Sequence, residues 1–254
     1  MSGAGGQRSS PPVRAGAATR PGGGSAQPSP SDSASPLTIE HDGAALHQGA
    51  ALSILPDLHI LAAAHPPDQA GIRLHGGPAL PRLLASGPIH AIAAQHLGAV
   101  ARPVRAILFD KTVATNWSLG WHQDRTIVVR ACHDVPGFGP WSRKAGLQHV
   151  EPPFTILEAL VTLRIHLDDV PTDNAPLLIA PGSHRLGRVP EATIAAVVEQ
   201  CGSYACLAQA GDVWAYATPI LHASAAACGA RHRRVLQVDY AAAELPAPLA
   251  WLGL

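Results

Sequence analysis

Within 160–168 apolar and polar residues alternate from Val161 onward, with Val161, Leu163, Ile165 and Leu167 on one face and Thr162, Arg164, His166 and Asp168 on the other. A period of two predicts a strand whose two faces meet different surroundings. Its polar face suits either a solvated sheet surface or the interior of a polar barrel. Val104–Phe109, Leu119–His122, Val213–Tyr216, Ile220–Ala223 and Arg234–Tyr240 read as further strands, and Leu177-Leu178-Ile179-Ala180 as one that ends at the Pro181-Gly182 turn. From Leu37 to about Leu97 the spacing is helical instead. Leu52, Leu55, Leu58 and Leu61 recur every three residues, and Leu80, Leu83 and Leu84 follow Pro78. Glu191–Gln200 predicts a short helix with Ile194, Val197 and Val198 inward. Short strands with helices mainly at the start predict a mainly β fold with helical support, a sandwich or jelly roll.

Two segments stand outside this pattern. Residues 1–36 are Gly, Pro, Ala and Ser with almost no large apolar side chains, which predicts an unfolded tail ahead of a single domain over 37–254. Residues 133–156 carry Pro136, Gly137, Gly139, Pro140, Gly146, Pro152 and Pro153, which predicts an irregular lid, with Phe138 and Trp141 offering apolar surface to a substrate.

Composition narrows the class. Apolar residues are 47% of 254, enough for a sizeable core, while 18 basic and 18 acidic side chains cancel. Such a balance lacks the basic footprint of a nucleic-acid binder. No apolar run reaches membrane-spanning length, and Cys132, Cys201, Cys206 and Cys228 form neither a C-x-x-C motif nor a dense disulfide framework. A cytoplasmic protein acting on a small molecule is expected. No GxGxxG and no P-loop is present, so nucleotide cofactors have no motif to rest on.

The candidate chemistry begins with two H-x-D triplets, His122-Gln123-Asp124 and His166-Leu167-Asp168. Positions i and i+2 share one face of a strand, so either pair could chelate a metal. The first ends a strand ahead of the Pro/Gly segment; the second runs straight into a turn at Asp169-Val170-Pro171. Context favours the first. For a further imidazole the contenders are His184 and His222, and either could be an ordinary hydrogen-bonded histidine. Only His222 has an Arg eleven positions on, Arg233, at the head of a strand. A hairpin of that reach would return Arg233 beside the metal. Two His and one carboxylate can occupy one face of an octahedral Fe(II) and leave the opposite face open. A fixed guanidinium suits a distal carboxylate because its planar fork binds both oxygens and keeps its charge. Lys111, Gln123, Thr162, Arg164 and His166 are weaker candidates for lining the cosubstrate or substrate site.

Trp121-His122-Gln123-Asp124, the segment from Asp173 to His184, and Gly211-Asp212-Val213-Trp214 leading to His222-Ala223-Ser224 and Arg233 resemble the phytanoyl-CoA dioxygenase family. That resemblance implies a double-stranded β-helix, a jelly-roll, cupin-like core, and chemistry with Fe(II), 2-oxoglutarate and O₂. It implies iron ligation by His122, Asp124 and His222, with Arg233 and Ser224 on the C5 carboxylate of 2-oxoglutarate. Related halogenases carry a small residue in place of the carboxylate ligand, so Asp124 implies hydroxylation with release of succinate and CO₂. Ala175 departs from the glycine that often follows the family's Asn, which touches loop geometry. A cupin-like metalloenzyme without 2-oxoglutarate, and a non-catalytic binding protein on the same fold, are the alternatives; Arg233 with Ser224 argues against the first and the intact triad against the second.

Overall fold

The computed structural model describes residues 36–66, 69, 71–228 and 232–254. The segment read as a tail, 1–36, lies outside the described residues except for Pro36. In chain order the strands are β1 Ala44–His47, β2 Gly71–Leu74, β3 Arg102–Lys111, β4 Leu119–His122, β5 Ile127–Val129, β6 Trp141–Lys144 and β7 Leu147–Val150. They continue with β8 Leu160–His166, β9 Leu177–Ile179, β10 Tyr204–Cys206, β11 Val213–Ala217, β12 His222–Ser224 and β13 Arg233–Ala241. The helices are α1 Ile39–Asp42, α2 Leu55–Ala63, α3 Ala79–Leu84, α4 Gly87–Leu97, α5 Phe154–Glu158 and α6 Ile194–Cys201.

All strand pairs are antiparallel. A six-stranded major sheet runs β1-β11-β8-β13-β3-β2, a four-stranded minor sheet β10-β9-β12-β4, and a small third sheet β5-β7-β6. Two antiparallel sheets with this crossing order form the jelly-roll, double-stranded β-helix core.

The alternation of β8 sets the two layers. Leu163 and Ile165 face outward with Leu236 and Val238 of β13, and Leu58, Leu84, Ile89 and Ile92 of the helices cover them in one core cluster. Each such side chain contributes about 1.5–3 kcal/mol on full burial. The Tyr240 hydroxyl donates to the Leu84 carbonyl at 2.6 Å and ties this helical layer to β13. The polar face of β8 is buried as well: Thr162, Arg164 and His166 are all inside. Of the two environments open to that face, the barrel interior is the one observed.

Three expectations need correction. The stretch from Leu37 to Leu97 is not helical throughout, because β1 and β2 form the two edges of the major sheet. Four-residue edge strands pair on one side only and are too short to imprint a period. Residues 133–156 are not irregular: β6 and β7 form a hairpin joined to β5, and α5 follows. The Gly and Pro residues punctuate that hairpin at its ends and turn, as with Gly146 at φ 80°, and leave Trp141–Lys144 and Leu147–Val150 free to pair. Finally, β12 and β13 are not a hairpin. One pairs with β4 and β9 in the minor sheet and the other with β3 and β8 in the major sheet. Ser224 and Arg233 meet across the barrel.

Candidate active site

Register places His222 of β12 directly opposite His122 of β4, with ring centroids 4.3 Å apart. Asp124, two residues beyond His122, falls on the same side. One ligand atom each from His122, Asp124 and His222 lie within 4.8 Å of one another, the one such group of three or more potential ligands among the described residues. Both imidazoles are oriented alike. His122 Nδ1 lies 2.7 Å from the Gly120 carbonyl and His222 Nδ1 2.9 Å from the Ile220 carbonyl. A carbonyl only accepts, so Nδ1 carries the proton and Nε2 presents its lone pair, the tautomer a metal requires. Burial is the main cause that pushes His222 down to about 4, which keeps it neutral at physiological pH.

Asp124 is prepared as the anion. Burial alone would raise its pKa, but Arg105 and then His222 and His122 outweigh it and hold the carboxyl below its usual value. Arg105 Nη2 donates to Asp124 Oδ2 at 3.3 Å while its Nε donates to Asp239 Oδ2 at 2.5 Å. Asp239 also accepts from Thr162 Oγ1 at 3.0 Å. The buried chain Thr162–Asp239–Arg105–Asp124 fixes the Asp124 carboxylate through its Oδ2. Such outer partners orient ligands and tune them. The donor set, its tautomers and its charge fit a divalent metal.

Beyond the triad the inner face of the major sheet forms rungs. Arg105 sits opposite Asp239, Ile107 opposite Gln237, Phe109 opposite Val235 and Lys111 opposite Arg233. Arg164 donates to Gln237 Oε1 at 3.0 Å. Arg233 is 2% exposed; its Nη1 donates to the Ala175 carbonyl at 2.8 Å, and its buried Nε has no partner. Lys111, 1% exposed, donates to Ser224 Oγ at 3.0 Å and to the Ala225 carbonyl at 2.7 Å, with its ammonium 4.8 Å from the centre of the Trp117 ring. Lys111, Arg164 and Arg233 make no carboxylate ion pair among the described residues. Three basic side chains buried without a carboxylate ion pair suit an anion of matching size. Their crowding shows in their acidity. Burial, then Arg233 and Arg164, push Lys111 down to about 7, and burial, then Arg164, push Arg233 to about 9.

One cavity of about 780 Å³ joins these groups: His122, Asp124, His222, Lys111, Arg164, Arg233 and Ser224 all line it. The other sequence candidates stand elsewhere. Gln123 borders the cavity, but its amide is consumed by structure: Nε2 donates to the Gly187 and Pro219 carbonyls and Oε1 accepts from Val189 N. Thr162 lies behind the wall, bonded to Thr218 and Asp239. His166 is buried with neither ring nitrogen partnered, outside the lining. Asp168, its triplet partner, is held by Arg234 at 2.6 and 2.9 Å, so that pair gathers no third ligand. His184 packs against the end of α1 at Gly43. Phe138 and Trp141 pack on the core cluster of Val104, Ile127 and Val150 rather than lining the cavity. Arg105 and Gln237 were missed, although a charged or amide side chain within an apolar strand was a readable signal. Arg73, Lys144 and His149 were missed because their strands were not foreseen.

A jelly roll with two imidazoles, a carboxylate and a cationic pocket at one end has the architecture of the cupin-like, metal-dependent oxygenases. The chain belongs to the phytanoyl-CoA dioxygenase (PhyH) family, which it matches over residues 62–235. Among solved structures it resembles apo EctD from S. alaskensis, with 18% identity and a TM-score of 0.58 over 83% of this chain and 77% of that one. AviO1 from Streptomyces viridochromogenes Tue57 gives 21% identity and a TM-score of 0.53 over 83% of this chain and 95% of that one. HygX from Streptomyces hygroscopicus, solved with nickel and 2-oxoglutarate, gives 14% and 0.53 over 80% and 84%. At these identities the likeness is one of fold. No curated protein matches the chain significantly by sequence. Membership of the family makes it an oxygenase-type enzyme with Fe(II) as cofactor and 2-oxoglutarate and O₂ as cosubstrates. Among the described residues no helix is long and apolar enough to cross a membrane.

Proposed function

We propose that this protein hydroxylates a small or lipid-like organic substrate, with Fe(II) held by His122, Asp124 and His222 in a single domain spanning 37–254. The observation that carries the reading is the convergence of those three side chains with both Nδ1 atoms already committed to backbone carbonyls. Iron bound there would supply the oxidising chemistry that couples 2-oxoglutarate decarboxylation to substrate oxidation. The chain's own part is positioning. Arg233 takes the C5 carboxylate of 2-oxoglutarate bidentately, with Lys111 and Ser224 beside it and Arg164 adding charge from the Gln237 rung, two rungs along. The apolar walls at Ile107, Phe109 and Leu177 keep water from the pocket. Asp124 fills the coordination place a halide would need, which favours hydroxylation over halogenation. Four free cysteines suit a cytoplasmic setting.

The test is metal stoichiometry followed by turnover. Wild type and His166→Ala should each bind one Fe(II) per chain, and His122→Ala should bind none. A screen of candidate substrates should then find one that yields equal amounts of succinate and hydroxylated product. Iron retained by the His122 variant and lost from the His166 variant would reverse the assignment.

A further inference from the structure

The chain as a whole is neutral, with 18 basic and 18 acidic side chains, yet seven Lys and Arg side chains and only two carboxylates line the active-site cavity. Most of this excess has a use. Arg105 is paired with Asp124 and Asp239, and Arg125 with Glu191 at 3.2 Å and the Val189 carbonyl at 3.1 Å. Lys111, Arg164 and Arg233 at the closed end surround the place read above as the cosubstrate pocket. Arg73 and Lys144 remain. Neither has an ion pair or side-chain hydrogen bond among the described residues, and the Arg73 Nε is buried without a partner.

The fold brings these two to one cavity from separate sheets. Arg73 lies on edge strand β2, opposite Ile107 of β3, and is partly exposed. Lys144 lies on β6 and is exposed; His149 lies on the neighbouring strand β7 and is buried, with Nδ1 held 3.1 Å from the Leu147 carbonyl. Each of the three lines the cavity. Burial, and then Arg73, Lys144 and Arg105 among the neighbouring charges, depress His149, which places those cations within electrostatic reach of it. Lys111 and Arg233, at 1% and 2% exposure, mark the closed end, and Arg73 with Lys144 marks the open one.

We infer that the substrate carries an anionic group, a carboxylate or a phosphate, that docks on Arg73 with Lys144 and His149 alongside. This rests on the assignment of the closed end to 2-oxoglutarate, because only then is Arg73 left for a second anion. Ile107 and Phe109, which lead along β3 from the level of Arg73 to Lys111, and Trp121 elsewhere in the lining suit an apolar body on that anion. The guanidinium fork selects the planar or tetrahedral oxyanion, and the apolar wall orients what it is attached to.

Matched probes test this by calorimetry on the full chain: 3-phenylpropionate, phenyl phosphate and the neutral 3-phenylpropanamide, with Fe(II) and excess 2-oxoglutarate in the absence of O₂. At least one acid should bind wild type tenfold or more tighter than the amide, and whichever acid binds tighter names the oxyanion. Arg73→Gln should lose that tenfold and leave amide binding unchanged. Excess 2-oxoglutarate should not displace the acid. Equal affinity for both acids and the amide in wild type, a comparison that needs no variant, overturns the proposal. So does an acid affinity that survives Arg73→Gln, or an acid displaced by 2-oxoglutarate. Should 2-oxoglutarate itself give no binding heat, the cosubstrate reading fails by that measurement, while the acid–amide difference and its loss in Arg73→Gln still decide whether an anion site exists at Arg73.

Discussion

Replacing Arg233 with Met keeps most of the side-chain length and removes only the charge and the fork. With 2-oxoglutarate docked as proposed, the guanidinium would face a carboxylate at a buried position, where losing one charged partner costs about 2–5 kcal/mol. Lys111 and Arg164 stay behind and soften the loss, so the lower half of that range applies. At about 1.4 kcal/mol per tenfold, 2-oxoglutarate should bind roughly 30- to 300-fold more weakly. Without cosubstrate the sign is opposite. Burial, and then Arg164, hold the folded-state pKa of Arg233 at about 9, below its ordinary 12.5. The ion is therefore a burden on the unliganded fold at every pH below about 9, relieved only as pH climbs from there toward 12.5. Arg233→Met removes that burden and loses the 2.8 Å bond to the Ala175 carbonyl, worth about 1.5–3 kcal/mol. The melting temperature of the metal-free variant should thus equal or exceed that of wild type while cosubstrate binding collapses. Anaerobic calorimetry with Fe(II) gives the first quantity and a thermal melt the second. Wild-type affinity for 2-oxoglutarate in Arg233→Met would refute the reasoning, because the charge would then have no anion to meet.

Two further outcomes follow from neighbouring residues. Lys111 ionises near 7 when no anion is present, so binding a dianion should draw a proton onto it; 2-oxoglutarate affinity should fall as pH rises above about 7, with proton uptake visible as buffer-dependent binding heats, and Lys111→Met should abolish that uptake. Ala175 is held at φ 50°, a left-handed conformation that costs a residue with a Cβ about 1 kcal/mol or more; Ala175→Gly should raise urea stability by up to about 1 kcal/mol with no loss of 2-oxoglutarate affinity, and destabilisation would show that the turn is not strained.

The strands that build the site were legible because each keeps a clean period or ends at a punctuated turn. The Leu119–His122 strand coincides with β4, and Val213–Tyr216 and Arg234–Tyr240 fall within one residue of β11 and β13. Which sheet each strand joins was not legible, since hydrogen-bonding partners leave no local trace. Ser224 and Arg233 therefore look like neighbours along a hairpin when they meet across a barrel. The alternation in β8 was clear, but alternation alone does not say whether a polar face meets water or a polar interior. Glycine and proline in 133–156 mark where a hairpin turns, and density of turn residues was mistaken for absence of strands. From the sequence the departure at Ala175 bears only on loop geometry, yet its carbonyl is the one that holds Arg233.

Gln123 gives the triplet a mechanical role that its side-chain chemistry alone does not suggest. Its amide spends two donors on the carbonyls of Gly187 and Pro219 and its acceptor on the amide of Val189, so the ligand strand is bolted to two separate loops. One of those loops leads into Glu191, Ile194 and Ala195, which form part of the cavity wall. A chimaera that borrows 182–200 from a relative to change substrate scope would have to present the same acceptor at 187 and donor at 189 to position 123, while the Pro219 acceptor stays with the host. Asn is too short to span it and Glu lacks the donors. The middle letter of His122-Gln123-Asp124 thus sets which wall segments are interchangeable, and a loop graft made without regard to it should loosen the ligand strand as well as the substrate wall.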